Sequence, residues 1–258
     1  MSLRNLLSRG TPLIVPGATD ALSATLIEAH GFECVYIGSY ATAASRFGLR
    51  DTGLLSLEQL VEQARTIVQA VSLPVIADAE SGFYPAPDLW RTVRAFEQAG
   101  VAAIHLEDHT GAGKHTGAPQ TLRPAVEMAA RIRAAVEARK DPDFLIVARS
   151  DAFWVARDLD ECIARLQAYA DAGADLVFPT LVGPAELAEV RRKVGKPAMI
   201  VDMPGCSVAA HKDAAIVLYY AFSTLVQFEA MSRALQRFKR KGAVPGNQGA
   251  FEAFLGYR

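Results

Sequence analysis

Short apolar runs alternate with amphipathic helical stretches along the whole chain. The apolar runs are nearly continuous rather than alternating with polar residues, which is typical of parallel strands covered on both faces. Eight of them are predicted as β-strands, at 13–16, 34–38, 74–78, 102–107, 144–149, 175–179, 198–202 and 215–219.

Helical periodicity follows most of these strands. The predicted helices lie at 20–31, 56–71, 86–100, 123–139, 158–173, 183–195 and 222–242. Several end in a glycine at the position that commonly follows the last helical residue, namely Gly31, Gly100, Gly173, Gly195 and Gly242.

The chain repeats a strand followed by a helix until it reaches eight strands over 258 residues. This pattern predicts an α/β fold, a (β/α)8 barrel of the TIM type. The connection at 203–214 is short, so the helix there is predicted to be stunted. A doubly wound open sheet is the alternative, but no G-x-G-x-x-G follows the first strand. No shift in composition marks an internal boundary, and the chain is therefore predicted to form one domain over 1–258.

The two ends of the chain differ in character. Residues 1–10 carry two arginines and no acid, which faintly resembles an organelle leader, but the first strand follows at once and leaves no room for a removable segment. The tail at 242–258 mixes turn residues with Phe251, Phe254 and Tyr257. This mixture predicts a tail packed on its own barrel or on a partner subunit.

Composition narrows the classes of function. The chain has 27 basic and 28 acidic residues, a net charge of −1 and a pI near 6.5, so it offers no electrostatic surface for nucleic acid or a membrane. Its apolar runs are too short to span a bilayer. Its 3 cysteines lack metal-finger spacing and argue against a disulfide framework. We expect a soluble, cytoplasmic protein with no nucleic-acid or membrane partner.

Polar residues cluster where the predicted strands end. Chemistry in such barrels takes place at the carboxyl ends of the strands, and the opposite ends here carry mostly helix caps and turn residues. The polar residues at the carboxyl ends are Ser39 after the second strand, Asp78 and Glu80 after the third, Glu107, Asp108 and His109 after the fourth, and Arg149 and Asp151 after the fifth.

Asp78, Glu80 and Glu107 place three carboxylates after two adjacent strands. Unpaired carboxylates so close together would repel and raise each other's pKa unless a positive charge lies between them. Mg²⁺ suits this set because it prefers oxygen ligands and keeps several waters. The alternative is a salt-bridge network with Arg149 or Lys114. Placement at the strand ends favours the metal site.

Arg149 closes an apolar strand, where a guanidinium needs an anion. A substrate carboxylate fits its fork-shaped set of donors, and a structural pair with Asp151 or Glu107 is the alternative. Ser39 and the small residues after it could offer backbone N–H groups to an anion at the start of a helix.

The loop at 109–121 is rich in glycine and carries Lys114, His115 and Thr116. Its place beside the carboxylates predicts a mobile lid over the site, and an ordinary surface loop is the alternative.

The remaining histidines and cysteines are predicted to be structural or without a role. His105 is expected to point inward as a core histidine with its hydrogen bonds made. His30 and His211 are expected at the surface, and Cys34 and Cys162 in the core. Cys206 follows the seventh strand, and nothing near it implies a lowered pKa.

Several segments together resemble the isocitrate lyase/phosphoenolpyruvate mutase superfamily. They are PGATDALSATLIEAHGFECVYIGSYATAASRFGLRDTG, PVIADAESGF, GVAAIHLEDH, DFLIVARSDA and AYADAGADLVF, between about residues 10 and 180. The resemblance implies a (β/α)8 barrel that uses Mg²⁺ to bind 2-oxo or 2-hydroxy carboxylates. It also implies cleavage or formation of C–C or P–C bonds through enolate-like intermediates. A last helix exchanged between subunits would give a homodimer or homotetramer.

The resemblance also assigns metal ligands. Asp78 would hold Mg²⁺, or alternatively Mn²⁺, most directly, while Glu80 and Glu107 would act largely through its waters. Glu80 stands where the family more often has the shorter aspartate, so the distance to the metal there is expected to differ.

The same resemblance assigns residues to the substrate. Ser39, Tyr40 and Ala41 would bind the substrate carboxylate through the serine and backbone amides, and Arg149 would bind the same group. Asp51 matches an acidic position near the reacting centre in the mutase-like branch.

The loop at 109–121 departs from the family pattern. Isocitrate and methylisocitrate lyases carry K-R-C-G-H, whose cysteine takes part in proton transfer, whereas Thr116 stands nearest that position here, after Lys114 and His115. Nor does the loop match the K-T-N pattern of the phosphonopyruvate branch well. Pro179 stands where many lyases have a glutamate. Together with Asp51, the three loop residues are the candidate catalytic residues.

Decarboxylation is the chemistry least affected by these departures, because Mg²⁺ supplies the electron sink at the carbonyl. Water or His115 can then protonate the enolate. We therefore expect a Mg²⁺-dependent lyase that cleaves a C–C bond in a small 2-oxo or 2-hydroxy dicarboxylate, with oxaloacetate-type decarboxylation favoured. Phosphonopyruvate hydrolysis or mutation, and a methylisocitrate-type lyase using Thr116 or His115, are the alternatives within the fold. A non-catalytic carboxylate-binding barrel is the alternative class.

Overall fold

Eight short parallel strands form the centre of the structure. The computed structural model describes residues 1–111, 114–116, 118–201, 208–242 and 246–256. Each observed strand overlaps a predicted one. The strands are β1 (Leu13–Pro16), β2 (Val35–Ile37), β3 (Val75–Asp78), β4 (Ala103–Glu107), β5 (Leu145–Ser150), β6 (Leu176–Pro179), β7 (Met199–Val201) and β8 (Ile216–Tyr219).

Helices connect the strands. They are α1 (Leu3–Leu7), α2 (Ala21–Ala29), α3 (Ser39–Phe47), α4 (Leu57–Ala70), α5 (Trp90–Ala99), α6 (Ala125–Ala138), α7 (Ala152–Ala156), α8 (Leu159–Asp171), α9 (Pro184–Val194), α10 (Phe222–Lys241) and α11 (Gln248–Phe254). The seven predicted helices are all present, and α1, α3, α7 and α11 are additional. The five glycines predicted to follow helices all adopt a positive φ.

The strands close into a barrel. Strands β2, β3, β4, β5 and β6 pair in that order, and β1, β8 and β7 form a second run, with every pairing parallel. Parallel bridges between Gly17 and Tyr36 and between Val177 and Ala198 join the two runs at both sides. The (β/α)8 prediction is therefore confirmed, and the open-sheet alternative is wrong.

Two apolar layers explain why the strands read as continuous apolar runs. On β5, Leu145 and Val147 belong to the cluster that fills the barrel interior, whereas Ile146 and Ala148 belong to the cluster between the strands and the helices. Because successive side chains of a strand point to opposite faces, both faces must be apolar when both are covered.

Capping interactions mark the ends of the helices. At the start of α4, Ser56 accepts from the Gln59 backbone N–H, and the Gln59 side chain accepts from the Ser56 backbone N–H. This reciprocal pair satisfies two N–H groups that the first turn leaves without helical partners. Gly100 ends α5 in the left-handed region with φ of 87°, which costs glycine little.

The chain divides into two compact units, Met1–Ser223 and Thr224–Arg258. The first contains the whole barrel. The second contains most of α10 and all of α11, and Tyr257 of the predicted tail lies outside the described residues. That the chain forms one domain stays a prediction. Within the described ranges, no helix is both long and apolar enough to cross a membrane.

The structure contradicts the predicted position of one histidine. His211, predicted at the surface, is fully buried at the end of a 3₁₀ turn, Val208–His211, which lies in the connection from β7 to β8. Residues 208–211 are in the described part of this connection and form only a short 3₁₀ turn, in keeping with the connection's length, and the histidine side chain lies in the interior. Cys34 and Cys162 are buried as predicted, and Cys206 lies outside the described residues.

Candidate active site

Three carboxylates converge at the carboxyl ends of β3 and β4. Asp78 is the last residue of β3, Glu107 is the last residue of β4, and Glu80 follows β3 by two positions. One oxygen of each lies within 4.8 Å of an oxygen of the others. The neighbouring pairing of β3 with β4 therefore brings together what the sequence predicted as a cluster.

The backbone after β3 turns sharply to aim Glu80 at this cluster. Glu80 has a φ of 50°, an uncommon conformation for a residue with a side chain. Its N–H donates to Asp78 Oδ1 at 2.8 Å, and its carbonyl accepts from the Glu107 N–H at 2.9 Å. Residues held in such a conformation cluster at functional sites.

Lys114, from the loop at 109–121, inserts its ammonium among the carboxylates. Its Nζ lies 2.9 Å from Glu80 Oε2, 2.9 Å from Glu107 Oε1 and 3.8 Å from Asp51 Oδ2, and its side chain is 2% exposed. Burial would lower the pKa of Lys114, but the carboxylates outweigh it and hold that pKa well above its usual range. The salt-bridge network that the sequence left open is thus present.

The carboxylates differ in their tendency to ionise. Burial opposes ionisation of Asp78, but the surrounding cationic side chains and the Glu80 N–H outweigh it and hold its pKa well below its usual range. Burial raises the pKa of Glu107 to about 8, with Arg149 and Lys114 opposing this rise. The pKa of Glu80 is also raised, first by burial and then by the charge of Asp78. Neighbouring carboxyl groups whose pKa values are shifted in opposite directions are common at functional sites.

The carboxylate cluster fits a divalent cation. Its donors are all oxygens, which Mg²⁺ prefers, and the position between Glu80 and Glu107 already accommodates a cationic group. Glu107 Oε2 is buried and accepts no hydrogen bond among the described residues, although Arg149 Nη1 lies 3.1 Å away. A buried carboxylate oxygen that accepts no hydrogen bond is suited to bind a metal ion or a metal-bound water.

Arg149 lies opposite Glu107 in the parallel pairing of β4 with β5. Its Nε donates to Asp151 Oδ1 at 2.7 Å and to Thr180 Oγ1 at 3.0 Å, and its Nη2 donates to Asp151 Oδ2 at 3.1 Å. The guanidinium also lies 5.4 Å from the centre of the Phe178 ring. The structural pairs with Asp151 and Glu107 are present, and the same guanidinium lines the cavity described below.

Ser39 begins α3 beside Asp78. Its hydroxyl donates to Asp78 Oδ2 at 2.9 Å, and its backbone N–H lies 3.3 Å from the same oxygen. Ser39 therefore supports the carboxylate cluster directly. The backbone N–H groups of Tyr40 and Ala41 lie in the first turn of the helix, where they have no helical partner and can meet an anion.

Two of the candidate catalytic residues meet on one side of the site. His115 Nε2 lies 3.4 Å from Asp51 Oδ2, and its ring lies between those of Tyr40 and Trp154, with centroids 5.9 and 5.3 Å away. Thr116 is exposed, and its hydroxyl accepts from the Ala118 N–H at 3.4 Å. Residues 112, 113 and 117 of this loop lie outside the described residues, and the mobile lid stays a prediction.

A cavity of about 260 Å³ opens at this end of the barrel. Six of the predicted site residues line it, together with several that sequence reasoning did not select. The predicted residues that do not line it are Ser39, Ala41, Glu80, Glu107 and Thr116. The lining comprises Tyr36, Gly38, Tyr40, Asp51, Asp78, Lys114, His115, Arg149, Trp154, Phe178, Thr180, Leu181, Val201, Leu218 and Tyr220. Thr180 follows β6 and Tyr220 follows β8, so both could have been found from their place after a strand; Trp154 lies in α7 and carries no such signal.

His105 lies beneath the cavity as an inward-facing residue of β4. It is fully buried, its Nε2 lies 2.9 Å from the Tyr36 hydroxyl, and its Nδ1 is without a hydrogen-bond partner in the described part of the chain. Burial lowers the pKa of His105 to about 4, with nearby Asp78 opposing the shift. The histidine is thus buried as predicted, but its hydrogen bonds are only partly made.

Comparison with known sequences identifies enzymes as relatives of this chain. The family model for phosphoenolpyruvate phosphomutase matches residues 3–239. The chain is similar to 2,3-dimethylmalate lyase of Eubacterium barkeri, with 43% identity over 179 residues, which are 68% of this chain and 61% of that protein. The chain spans about three fifths of the length of the curated relatives it matches.

Solved structures agree with the sequence comparison. Phosphoenolpyruvate phosphomutase from Streptomyces platensis subsp. rosaceus is similar with a TM-score of 0.91 and 28% identity, over 98% of this chain and 94% of that one. Oxaloacetate acetylhydrolase with 3,3-difluorooxalacetate has a TM-score of 0.87 and 27% identity, over 99% and 95%. Phosphonopyruvate hydrolase with oxalate and Mg²⁺ has a TM-score of 0.87 and 28% identity, over 98% and 93%. The chain therefore belongs to the phosphoenolpyruvate phosphomutase family, within the isocitrate lyase/phosphoenolpyruvate mutase superfamily.

Proposed function

We propose that this chain is a Mg²⁺-dependent lyase that cleaves a C–C bond in a small 2-oxo or 2-hydroxy dicarboxylate, with decarboxylation of an oxaloacetate-type substrate as its main reaction. The observation that carries the proposal is the cavity itself. Asp78 of the carboxylate cluster, Arg149, and Tyr40 in the first turn of α3 all line one space of about 260 Å³. That volume suits a small organic acid.

Asp78, Glu80 and Glu107 would hold the metal. Asp78 is the strongest candidate for a direct ligand because its pKa is held low and it remains ionised. When bound, Mg²⁺ supplies a Lewis acid that polarises the 2-oxo group. A complex of a related phosphonopyruvate hydrolase with oxalate and Mg²⁺ supports both the cation and the class of ligand.

The substrate's 1-carboxylate would be bound by Arg149 and by the backbone N–H groups of Tyr40 and Ala41. A guanidinium has five N–H donors. Asp151 and Thr180 engage Nε and Nη2, and Glu107 pairs with Nη1, so one N–H on each Nη remains for a ligand in the cavity. Two convergent sets of donors would fix the orientation of the bond that breaks.

The carboxylate that leaves would face the part of the cavity wall formed by Trp154, Leu181 and Tyr220. Breaking the C3–C4 bond releases CO₂ and leaves the electron pair on C3 as the enolate of pyruvate. An apolar wall favours loss of a carboxylate because it offers that charge few hydrogen bonds. His115, paired with Asp51, or water would then donate a proton to C3.

The test is turnover of four substrates with Mg²⁺: oxaloacetate, phosphonopyruvate, 2-methylisocitrate and 2,3-dimethylmalate. Pyruvate release and the co-product are followed together, with EDTA, a protein-free blank and Asp78→Asn as controls. We expect CO₂ and pyruvate from oxaloacetate, and no activity above the blank for Asp78→Asn. Phosphate, succinate or propionate as the main co-product would instead identify one of the other reactions. Inactivity on all four would contradict the proposal and favour a carboxylate-binding barrel.

We also propose that the chain forms a homo-oligomer, a dimer or a tetramer. Helix α10 carries several large apolar side chains that are exposed, among them Leu225, Val226, Phe228 and Leu235. Exposed apolar surface of this extent commonly marks a site of protein association. Light scattering after size-exclusion chromatography tests this, and a monomer at all concentrations would contradict it.

A further inference from the structure

Asp108 is a buried carboxylate directly behind the candidate site. It follows Glu107 at the end of β4, is completely buried and does not line the cavity. Its two oxygens nevertheless accept four hydrogen bonds. The donors are the Asp151 backbone N–H to Oδ1 at 2.8 Å and, to Oδ2, the hydroxyls of Ser150 at 2.9 Å and Tyr169 at 2.8 Å and Nη1 of Arg165 at 3.4 Å.

Three contacts of Asp108 hold three consecutive residues at the end of β5. Its N–H donates to the Arg149 carbonyl at 3.2 Å, and its side chain accepts from the Ser150 hydroxyl and the Asp151 backbone N–H. The Asp151 carboxylate in turn accepts from Nε and Nη2 of Arg149. The direction of the guanidinium therefore depends on Asp151, whose backbone Asp108 holds.

Helix α8 anchors Asp108 from the outer side. Tyr169 is fully buried and donates its hydroxyl to Asp108, while Arg165 also donates to the Arg123 carbonyl at 2.7 Å and to Glu161 Oε1 at 2.7 Å. Asp108 is thus fixed both to the helix layer and to the strand that carries Arg149. Buried polar groups satisfied on every side restrict the local structure to one arrangement.

We propose that Asp108 is a positioning residue that sets the guanidinium of Arg149 at its distance from Glu107 for binding the ligand's carboxylate. That Arg149 binds a ligand's carboxylate rests on the proposed function, whereas the positioning of Arg149 by Asp108 does not. Because a guanidinium binds a carboxylate through N–H donors in a fixed geometry, the effect is expected in ligand binding and not only in stability.

The test compares Asp108→Asn with Asp175→Asn. Asp175 makes the same kinds of contact at the opposite end of β5, where it accepts from the Ile146 backbone N–H at 3.0 Å and pairs with Arg139. Both variants are expected to lower Tm. Calorimetric titration with oxalate in the presence of Mg²⁺ should show binding weakened about tenfold or more by Asp108→Asn, and changed less than about twofold by Asp175→Asn. Titration with Mg²⁺ alone should be unchanged in both.

Oxalate affinity equal to wild type in folded Asp108→Asn, or an equal loss in both variants, would overturn the proposal. If Asp108→Asn fails to fold, Tyr169→Phe removes one hydrogen bond to the same carboxylate and should weaken oxalate binding about threefold. Unchanged binding in that variant would also overturn it.

A second readout separates this proposal from the proposed function. If the wild-type protein binds no oxalate and turns over no substrate, the proposed function fails. The Nε–H resonance of Arg149 in an NMR spectrum still reports the position of the guanidinium. It should shift in Asp108→Asn and stay in place in Asp175→Asn, and an unshifted resonance in Asp108→Asn would overturn the positioning role.

Discussion

Replacing Lys114 by methionine should destabilise the protein far more in EDTA than in Mg²⁺. The ammonium lies 2.9 Å from both Glu80 and Glu107, and the lysine side chain is 2% exposed. Its removal leaves buried carboxylates that repel one another, and although Glu107 keeps Arg149 Nη1 at 3.1 Å, Glu80 loses its cationic partner. Breaking a buried ion pair costs about 3–5 kcal/mol, and the lower end applies here because the raised pKa of Glu107 lets it take up a proton.

A loss of about 3 kcal/mol should lower Tm by roughly 10 °C in a chain of this size. A divalent cation at the carboxylates would replace the missing charge. At a hundredfold excess over its Kd, Mg²⁺ would return about 2.7 kcal/mol. Because the ammonium and Mg²⁺ compete for the same oxygens, Mg²⁺ should stabilise the variant more than it stabilises the wild type.

The assay is thermal unfolding followed by circular dichroism, in EDTA and across a Mg²⁺ titration. Lys193→Met is the matched control, since Lys193 pairs with Glu189 and Asp160 on the surface. Exposed pairs contribute little, so its Tm should change little and without dependence on Mg²⁺. If Lys114→Met lowers Tm equally in EDTA and in saturating Mg²⁺, the ammonium and Mg²⁺ do not compete for these carboxylates.

Three further predictions concern binding, backbone and thiols. Arg149→Lys keeps the charge but loses the fork that holds its neighbouring aspartate, so kcat/KM should fall by at least about a hundredfold. Tm should also fall, because a buried carboxylate loses hydrogen bonds; equal steady-state kinetics would contradict this prediction. Gly82→Ala should lower the free energy of unfolding in urea by about 1–3 kcal/mol. Residue 82 has a φ of 96°, and a Cβ there would lie 2.4 Å from a leucine methyl; an unchanged urea midpoint would contradict this prediction. In a Cys206→Ser background, Cys34 and Cys162 should react with a thiol reagent only after unfolding, because burial raises both pKa values, that of Cys162 to about 12; prompt native reaction at pH 8 would count against this.

Much of the fold could be predicted because its signals are local. Each strand is a continuous apolar run, and each of the seven predicted helices shows its own hydrophobic periodicity. The additional helices α1, α3, α7 and α11 escaped because short helices are stabilised by what they pack against rather than by their own periodicity. His211 was misjudged for a related reason, since only the path of its turn carries it into the interior.

The carboxylate cluster was predictable for a different reason. In a parallel barrel every strand ends at the same rim, so Asp78 and Glu107 had to meet once their strands were identified. The partners of Arg149 were left open because the same residue types allow a structural pair or a ligand. The structure shows that Asp151 and Glu107 both contact it while it still faces the cavity.

Hydrophobic periodicity and strand order along the chain encode the barrel, the rim that carries chemistry and the acidic character of that rim. Packing in three dimensions brings Lys114 into the acidic cluster, His115 to Asp51, and Asp108 to the end of β5. These contacts join residues on different elements, and their distances depend on how loops and strands pack in three dimensions, which no local pattern along the chain records.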